Sequence, residues 1–93
     1  MIGGNNSMNI TDVRIRLIPA GNRLRAIASV IFENAFVVHD IKYVIGDSGP
    51  YLVMPSRRGG DGTTRDIAHP LNNDMRSNML QKISEAYEAK IAE

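Results

Sequence analysis

The chain has 93 residues, a formal net charge of +1 and no cysteine. This length favours a single domain with a modest core, and the lack of cysteine excludes a disulfide framework and thiolate metal sites. The near-neutral charge is by itself a weak argument for nucleic-acid binding, because strong polyanion binders are usually much more basic. No apolar run approaches the roughly 18 residues that a membrane-spanning helix requires.

The first residues differ in character from the rest of the chain. Met1–Ser7 is small, polar and glycine-bearing, without the basic stretch and apolar core of a secretory signal. We therefore expect residues 1–9 to form a disordered extension and residues 10–93 to form one domain, in the cytoplasm of the cell.

The first half of the domain has the pattern of a β-hairpin. Apolar and polar residues alternate from Ile10 to Ile18 and again from Arg23 to Phe32, which is the period of strands with one buried face. Pro19–Asn22 lies between them and has the composition of a turn. This short connection predicts antiparallel pairing.

Further strand-like segments follow. Phe36–Ile45 is predicted as a third strand interrupted at His39-Asp40, and Gly46–Pro50 as a turn. Tyr51–Met54 is predicted as a short fourth strand that Pro55 ends. Ser56–Thr64 contains three glycines, two arginines and no apolar residue, so it is expected to be an exposed loop or the tip of a long hairpin.

The chain ends with a helical pattern. Arg65–Ala68 is a candidate extended segment, and Asn72 or Asn73 is a suitable helix N-cap. Apolar residues recur at three- and four-residue spacings over about Asp74–Ala92, which predicts an amphipathic helix. Strands followed by a helix define an α+β fold, with a small antiparallel sheet of four to five strands.

No pattern in the chain indicates catalysis. The G-x-S-x-G, Walker A and H-E-x-x-H motifs are all absent. His39 and His69 lie near Asp40 and Asp66, but no local spacing supplies the three or four converging ligands of a metal site. We expect both histidines to make local hydrogen bonds, and we predict a non-enzymatic protein with no metal, cofactor or small-molecule substrate.

Clustered arginines are the strongest functional signal in the composition. Guanidinium groups pair with phosphates and with guanine edges through two parallel hydrogen bonds. Arg57, Arg58 and Arg65 surround one acid, Asp61, in the glycine-rich segment. They could bind phosphates, or they could be solvated or paired with Asp61 and Asp66. A second basic group falls in the two predicted strands of the first hairpin, where polar residues on one face are normal: Arg14, Arg16, Arg23 and Arg25.

Several blocks of residues together resemble the stage V sporulation protein G (SpoVG) family. The blocks occur in the family's order and spacing, and the resemblance extends from about Ile10 to Tyr87. They are Thr11–Arg14, Arg25–Ser29, Phe36–Ile41, Met54–Arg58 and Arg65–Pro70.

The resemblance implies a small antiparallel sheet with C-terminal helical structure, usually as a homodimer in the bacterial cytoplasm. It also implies roles in sporulation, septation and the expression of surface or virulence factors, with site-specific binding of DNA and, in some members, RNA. The basic pair after the Met-Pro-Ser block corresponds to Arg57 and Arg58, and the arginine opening the later block corresponds to Arg65. With Arg76 and Lys82 of the predicted helix, they are the candidate nucleic-acid contacts.

Two functional hypotheses follow. The first is a dimeric nucleic-acid-binding regulator, motivated by the arginines and the resemblance. The second is a protein-interaction module of the division or sporulation machinery without nucleic-acid contact, motivated by the near-neutral charge and an apolar helix stripe: Met75, Met79, Ile83 and Tyr87. The segment Gly59–Thr64 departs from the Thr-Pro-Asp-Gly loop common in the family, and we expect the change to add flexibility.

Overall fold

The computed structural model describes residues 8–19 and 22–93 as an antiparallel sheet, a two-stranded ribbon and one helix. The sheet has the strand order β1-β2-β3-β4, and the ribbon pairs β5 with β6. This α+β architecture confirms the predicted fold class. Of the extension predicted at residues 1–9, residues 1–7 lie outside the described residues, as do residues 20 and 21 of the predicted turn at 19–22. The elements are β1 (Ile10–Leu17), β2 (Leu24–Phe32), β3 (Phe36–Gly46), β4 (Gly49–Val53), β5 (Ser56–Arg58), β6 (Thr64–Asp66) and α1 (Asn73–Ile91).

The β1–β2 hairpin forms with the faces that the alternation predicts. Val13 lies opposite Val30, and Ile15 lies opposite Ala28. On β2, Ala26, Ala28 and Val30 are completely buried. Because successive strand residues point to opposite faces, one face of this hairpin builds the core and the other carries the arginines.

The interruption predicted at His39-Asp40 is a β-bulge within one continuous strand. Ala28 pairs with Ile41 and Val30 with Val38, so two residues of β3 oppose the single residue between them on β2. Asp40 has a φ of 65°, a left-handed conformation that aspartate tolerates better than most residues. The bulge absorbs the extra residue, and apolar residues on both sides of it therefore face the core.

Helix α1 covers one face of the main sheet. Asn72 is the N-cap, and its side chain accepts a hydrogen bond of 2.7 Å from the backbone N–H of Met75. The ring of Tyr87 lies 4.9 Å from that of Tyr43 on β3, measured between centroids. The buried helix residues are Met75, Met79, Ile83 and Tyr87.

This burial changes one of the sequence-based arguments. The apolar helix stripe that motivated the interaction-module hypothesis packs against the sheet as core and is not a free surface. In the described part of the chain, α1 is also not apolar enough to cross a membrane.

Candidate nucleic-acid interface

The β5–β6 ribbon extends from a buried anchor. Met54 is buried in the core cluster immediately before the ribbon. At the base, the N–H of Ile67 donates a hydrogen bond of 2.7 Å to the carbonyl oxygen of Pro55, which closes the ribbon. All six ribbon strand residues are exposed, and the two strands pack chiefly on each other. The ribbon is thus fixed at its base and free on both faces.

The register of the ribbon places two arginines side by side. Arg57 lies directly opposite Arg65, so the two side chains share one face. Their neighbours along each strand point to the other face because of the period of two. The ribbon strands therefore carry two positive charges and no acid on this face, which we call the Arg57/Arg65 face.

The opposite face of the ribbon has a different charge balance. It carries two cross-strand pairs, Arg58 with Thr64 and Ser56 with Asp66. One arginine is therefore offset by one aspartate on this face. The structure places Arg58 on the same ribbon as the other two candidate arginines but on the face away from them.

The tip of the ribbon is organised by hydrogen bonds. The N–H of Gly59 donates to the carbonyl oxygen of Thr63 at 2.7 Å, and the N–H of Gly62 donates to the carbonyl oxygen of Gly59 at 3.1 Å. Gly62 has a φ of 87°, a conformation that residues with a Cβ rarely adopt. The glycines thus serve a defined turn, and these hydrogen bonds oppose the flexibility expected from their number.

The acid at the tip is engaged within the turn. One oxygen of the Asp61 carboxylate accepts hydrogen bonds from the Thr63 hydroxyl at 2.7 Å and the Thr63 N–H at 3.1 Å. These two bonds, led by the one from the hydroxyl, hold the pKa of Asp61 below its ordinary value because they favour the charged form. Asp61 thus stabilises the turn at the tip of the ribbon through hydrogen bonds within the turn.

None of the candidate arginines forms an ion pair with another described residue. The sequence left open whether Asp61 and Asp66 would neutralise Arg57, Arg58 and Arg65, and neither carboxylate lies within ion-pair distance of them in the described ranges. The ion pairs of residues 8–19 and 22–93 are Arg14–Asp12 at 2.8 Å, Arg23–Asp47 at 3.0 Å and Lys90–Glu93 at 3.6 Å.

The two helix candidates lie apart from each other. Arg76 lines a small cleft with Tyr51 and Leu52 of β4. Lys82 is six residues further along α1, which at 3.6 residues per turn directs it about 120° away around the helix axis. Only Arg57 and Arg65 among the five candidates are direct cross-strand neighbours.

Further basic side chains lie on the sheet face that α1 leaves uncovered. Arg16 and Lys42 are both cross-strand neighbours of Ile27, one on each side. The three residues line an open cleft that also includes Asp40 and Ser56 at the base of the ribbon. Lys42 was not among the sequence-based candidates, although the alternation of apolar and polar residues in β3 places it on the exposed face.

The other arginines of this hairpin are less available. Arg14 is paired with Asp12, and Arg23 is paired with Asp47. Arg25 is half-buried, and its Nε has no hydrogen-bond partner among the described residues. The uncovered face is therefore a weaker cluster than the Arg57/Arg65 face.

The histidines have structural surroundings. Nδ1 of His39 lies 2.8 Å from the Ser29 hydroxyl across the bulge, so its hydrogen bond joins two neighbouring strands instead of being local in sequence. His69 lines an apolar groove with Pro70 and Met75. Across residues 8–19 and 22–93, no three His, Asp or Glu side chains are arranged to hold a metal ion.

Fold and site together define a small α+β protein with three exposed arginines, Arg57, Arg58 and Arg65, on a β-ribbon outside the core. The SpoVG family model matches residues 8–89. The chain belongs to the SpoVG family.

Relatives in the family align along most of their length. A protein of Clostridium perfringens is 53% identical over 81 residues, which cover 87% of this chain and 90% of the relative. A protein of Caldicellulosiruptor saccharolyticus is 49% identical over 85 residues, covering 91% and 97%. One of Clostridium beijerinckii is 49% identical over 86 residues, covering 92% and 94%. All three carry the name "Putative septation protein SpoVG".

Proposed function

We propose that this protein is a cytoplasmic nucleic-acid-binding regulator that acts in septation and sporulation control. The septation role follows the name of its relatives. The nucleic-acid role rests on one observation, the cross-strand pair of Arg57 and Arg65 without a carboxylate partner. Neither role requires catalysis or a bound cofactor.

The two exposed arginines of the pair repel each other weakly, and a bound anion would offset this repulsion. Like charges directly opposite each other on a sheet are destabilising, and neither guanidinium is in an ion pair with another described residue. Phosphate groups supply the missing negative charge, and arginine binds them through two parallel hydrogen bonds. The sugar-phosphate backbone of a nucleic acid, with one phosphate per nucleotide, therefore suits this face.

Homodimerisation would strengthen this binding. A two-fold axis presents two ribbons, one from each protomer, and can address two half-sites. The β1 strand is an edge of the main sheet and offers unpaired backbone groups for such an interface. Light scattering coupled to size-exclusion chromatography measures the oligomeric state, and a mass twice that of the chain supports the dimer.

A salt-titrated binding assay tests the proposed function. Duplex DNA and RNA pools are titrated with the wild type and with Arg57→Ala/Arg65→Ala. We expect weaker binding by the variant, and a logarithmic salt slope that is shallower by about one for each arginine that contacts a phosphate. Arg23→Ala also removes one positive charge and serves as the control. Arg23 already pairs with Asp47 at 3.0 Å, so its loss should change binding and the salt slope less.

Two results would contradict the proposal. One is a well-folded wild type that binds neither pool at low salt. The other is binding whose affinity does not change as salt rises, because phosphate contacts release counterions and must depend on salt.

A separate apolar surface supports a second candidate function, a protein-interaction module. Phe36, Val37 and Ile67 line one cleft, and their exposed fractions are 56%, 39% and 68%. Exposed apolar residues that are grouped in this way are typical of protein-binding surfaces. A pull-down after nuclease treatment tests it: recovered division proteins that Phe36→Ser/Ile67→Ser no longer captures support this candidate, and equal recovery by the variant removes it.

A further inference from the structure

We propose that the face of the main sheet opposite α1 binds an acidic amphipathic helix of a partner protein. The inference goes beyond the proposed nucleic-acid function, because it concerns a different surface from the ribbon and assigns it a partner of a different class. It does not depend on nucleic-acid binding, so the two proposals can fail separately.

The uncovered face of the sheet is more apolar than a solvated face requires. An antiparallel sheet with one buried face usually directs apolar residues toward the core and polar residues toward solvent. Ile27 and Ile31 of β2 nevertheless lie on the solvent side, where they are half-buried. The strand pairing adds two valines to this side, Val37 opposite Ile31 and Val53 opposite Lys42, with exposed fractions of 39% and 37%. Exposed aliphatic residues grouped in this way are typical of a binding surface.

Two cations stand on either side of Ile27. Arg16 of β1 and Lys42 of β3 are its cross-strand neighbours, and both are exposed. Neither is in an ion pair with another described residue. Asp40 is the one acid among the residues that line the cleft around them, so two positive charges exceed one negative charge there. An apolar centre with a positive margin is complementary to an apolar stripe flanked by carboxylates.

The spacing of the two cations suits a helix. Neighbouring strands are about 4.8 Å apart, so the backbones of Arg16 and Lys42 are about 10 Å apart. An α-helix with its side chains is about 10–12 Å in diameter. A helix that lies along β2 would therefore place its apolar stripe on Ile27 and direct one acidic flank toward each cation.

The length of the apolar row sets the length of the partner helix. Ile27 and Ile31 are about 13 Å apart along β2, which corresponds to about nine residues of a helix. The partner segment therefore needs about three turns with apolar residues on one face. The opposite face of the same sheet already packs against a helix, since α1 supplies Met79 and Ile83 to the core there.

Other occupants fit this face less well. A nucleic acid would gain nothing from the aliphatic residues, which offer its bases no stacking surface. A second copy of the chain that used this same face would bring two positively charged surfaces together. An acidic helix satisfies both the apolar centre and the cations.

Three designed peptides of about four helical turns serve as probes, each held helical by a hydrocarbon staple. The acidic peptide has a leucine stripe flanked by glutamates, the basic peptide has lysines in place of the glutamates, and the scrambled peptide has the acidic composition without a stripe. Fluorescence anisotropy measures their binding. The protein variants are Arg16→Glu/Lys42→Glu and Ile27→Thr. Arg76→Glu/Lys82→Glu changes the net charge equally on α1, at the other side of the sheet, and is the control.

We expect the wild type to bind the acidic peptide about tenfold more tightly than the basic or the scrambled peptide. Arg16→Glu/Lys42→Glu should reverse this preference and favour the basic peptide. Ile27→Thr keeps a β-branched residue in the strand but removes apolar contact, and should weaken binding of the acidic peptide about fivefold. Arg76→Glu/Lys82→Glu should keep the wild-type preference. Circular dichroism checks that each variant is folded, and the exchange of charges decides the matter if Ile27→Thr is not.

The inference is wrong if a folded wild type binds none of the peptides, or binds the acidic and basic peptides equally. An unchanged preference in Arg16→Glu/Lys42→Glu would also overturn it. If that variant instead loses self-association in light scattering, a second copy occupies the face; if it loses duplex DNA binding while no peptide binds the wild type, nucleic acid does.

The neighbouring apolar cleft is tested separately. Val37 borders both this face and the cleft of Phe36 and Ile67. Capture of division proteins that Phe36→Ser/Ile67→Ser abolishes, together with failure of the peptide test, would leave the second candidate function standing and remove this inference. Loss of nucleic-acid binding by the wild type would remove the proposed function alone.

Discussion

The main sheet with α1 and the β5–β6 ribbon are stabilised in different ways. The sheet buries Ile41 and Ile83 completely, whereas every strand residue of the ribbon is exposed. Burial of apolar surface stabilises the first region, and short-range hydrogen bonds and a buried anchor hold the second. The ribbon contributes little to the core, and its side chains are therefore available for binding. Substitutions in the two regions should therefore separate stability from function.

The largest effect is expected from truncation of the core. Ile83→Ala leaves a cavity beneath a fully buried side chain and should lower the free energy of unfolding by about 2–5 kcal/mol. Urea denaturation followed by circular dichroism measures this change. Gln81→Ala, on the exposed side of the same helix, is the control and should stay within about 0.5 kcal/mol. A small effect of Ile83→Ala would mean that α1 does not supply the core.

A smaller effect is expected at the start of the helix. The Met75 N–H lies in the first turn of α1 and has no acceptor within the helix. Asn72→Ala removes the side-chain oxygen that accepts its hydrogen bond. The free energy of unfolding should fall by about 1 kcal/mol. Asn73→Ala changes the same residue type one position later, inside the helix, and should cost less. Equal losses in thermal unfolding of the two variants would rule out capping by Asn72.

The ribbon arginines should affect stability least among these substitutions. Arg57→Ala/Arg65→Ala removes two exposed side chains without ion-pair partners among the described residues, so the free energy of unfolding should change by no more than about 0.5 kcal/mol. Relief of the like-charge pair favours a slight gain. Nucleic-acid binding should nevertheless weaken. A cooperative loss of stability comparable to that of Ile83→Ala would show that the ribbon belongs to the core after all.

The smallest effect is expected from the tip acid at low pH. Its hydrogen bonds with Thr63 lower the pKa of Asp61 in the folded protein below the ordinary value of 3.8. This contribution to stability is present above the unfolded pKa and is lost as pH falls through the folded pKa, in the range below about pH 4. An NMR titration of the Asp61 carboxyl should show the low pKa in the wild type and a higher one in Thr63→Ala. An unchanged pKa in that variant would mean that the Thr63 hydroxyl is not its main cause.

Local patterns predicted the framework of the fold because they reflect local physics. The alternation in β1 and β2 identified the buried face, since a strand with one solvated face must alternate. The N-cap preference of asparagine placed the start of α1 at Asn72 or Asn73, and the structure has Asn72 as the cap. The bulge at Asp40 was visible only as an interruption, because the absorption of an extra residue depends on the partner strand.

The candidate site was predicted in composition but not in arrangement. Arg57, Arg58 and Arg65 were recognised from their clustering and from the family resemblance. Their division between two faces depends on the register of β5 and β6, and a shift of one residue would have reversed it. Lys42 was missed because it is distant in sequence from Arg16, and only the strand pairing places both residues next to Ile27 of β2.

The sequence by itself determined the α+β class, the strand faces, the helix and the asparagine pair that contains its cap, and the identity of the basic segment. Each of these depends on residue types at short spacing, which act through local backbone preference and periodic burial. Only the tertiary structure decided that the apolar helix stripe is core, that Asp61 caps the tip, and that Arg57 faces the same side as Arg65. Such outcomes depend on which segments pair and pack at long range, and the register of that pairing is set by the whole fold.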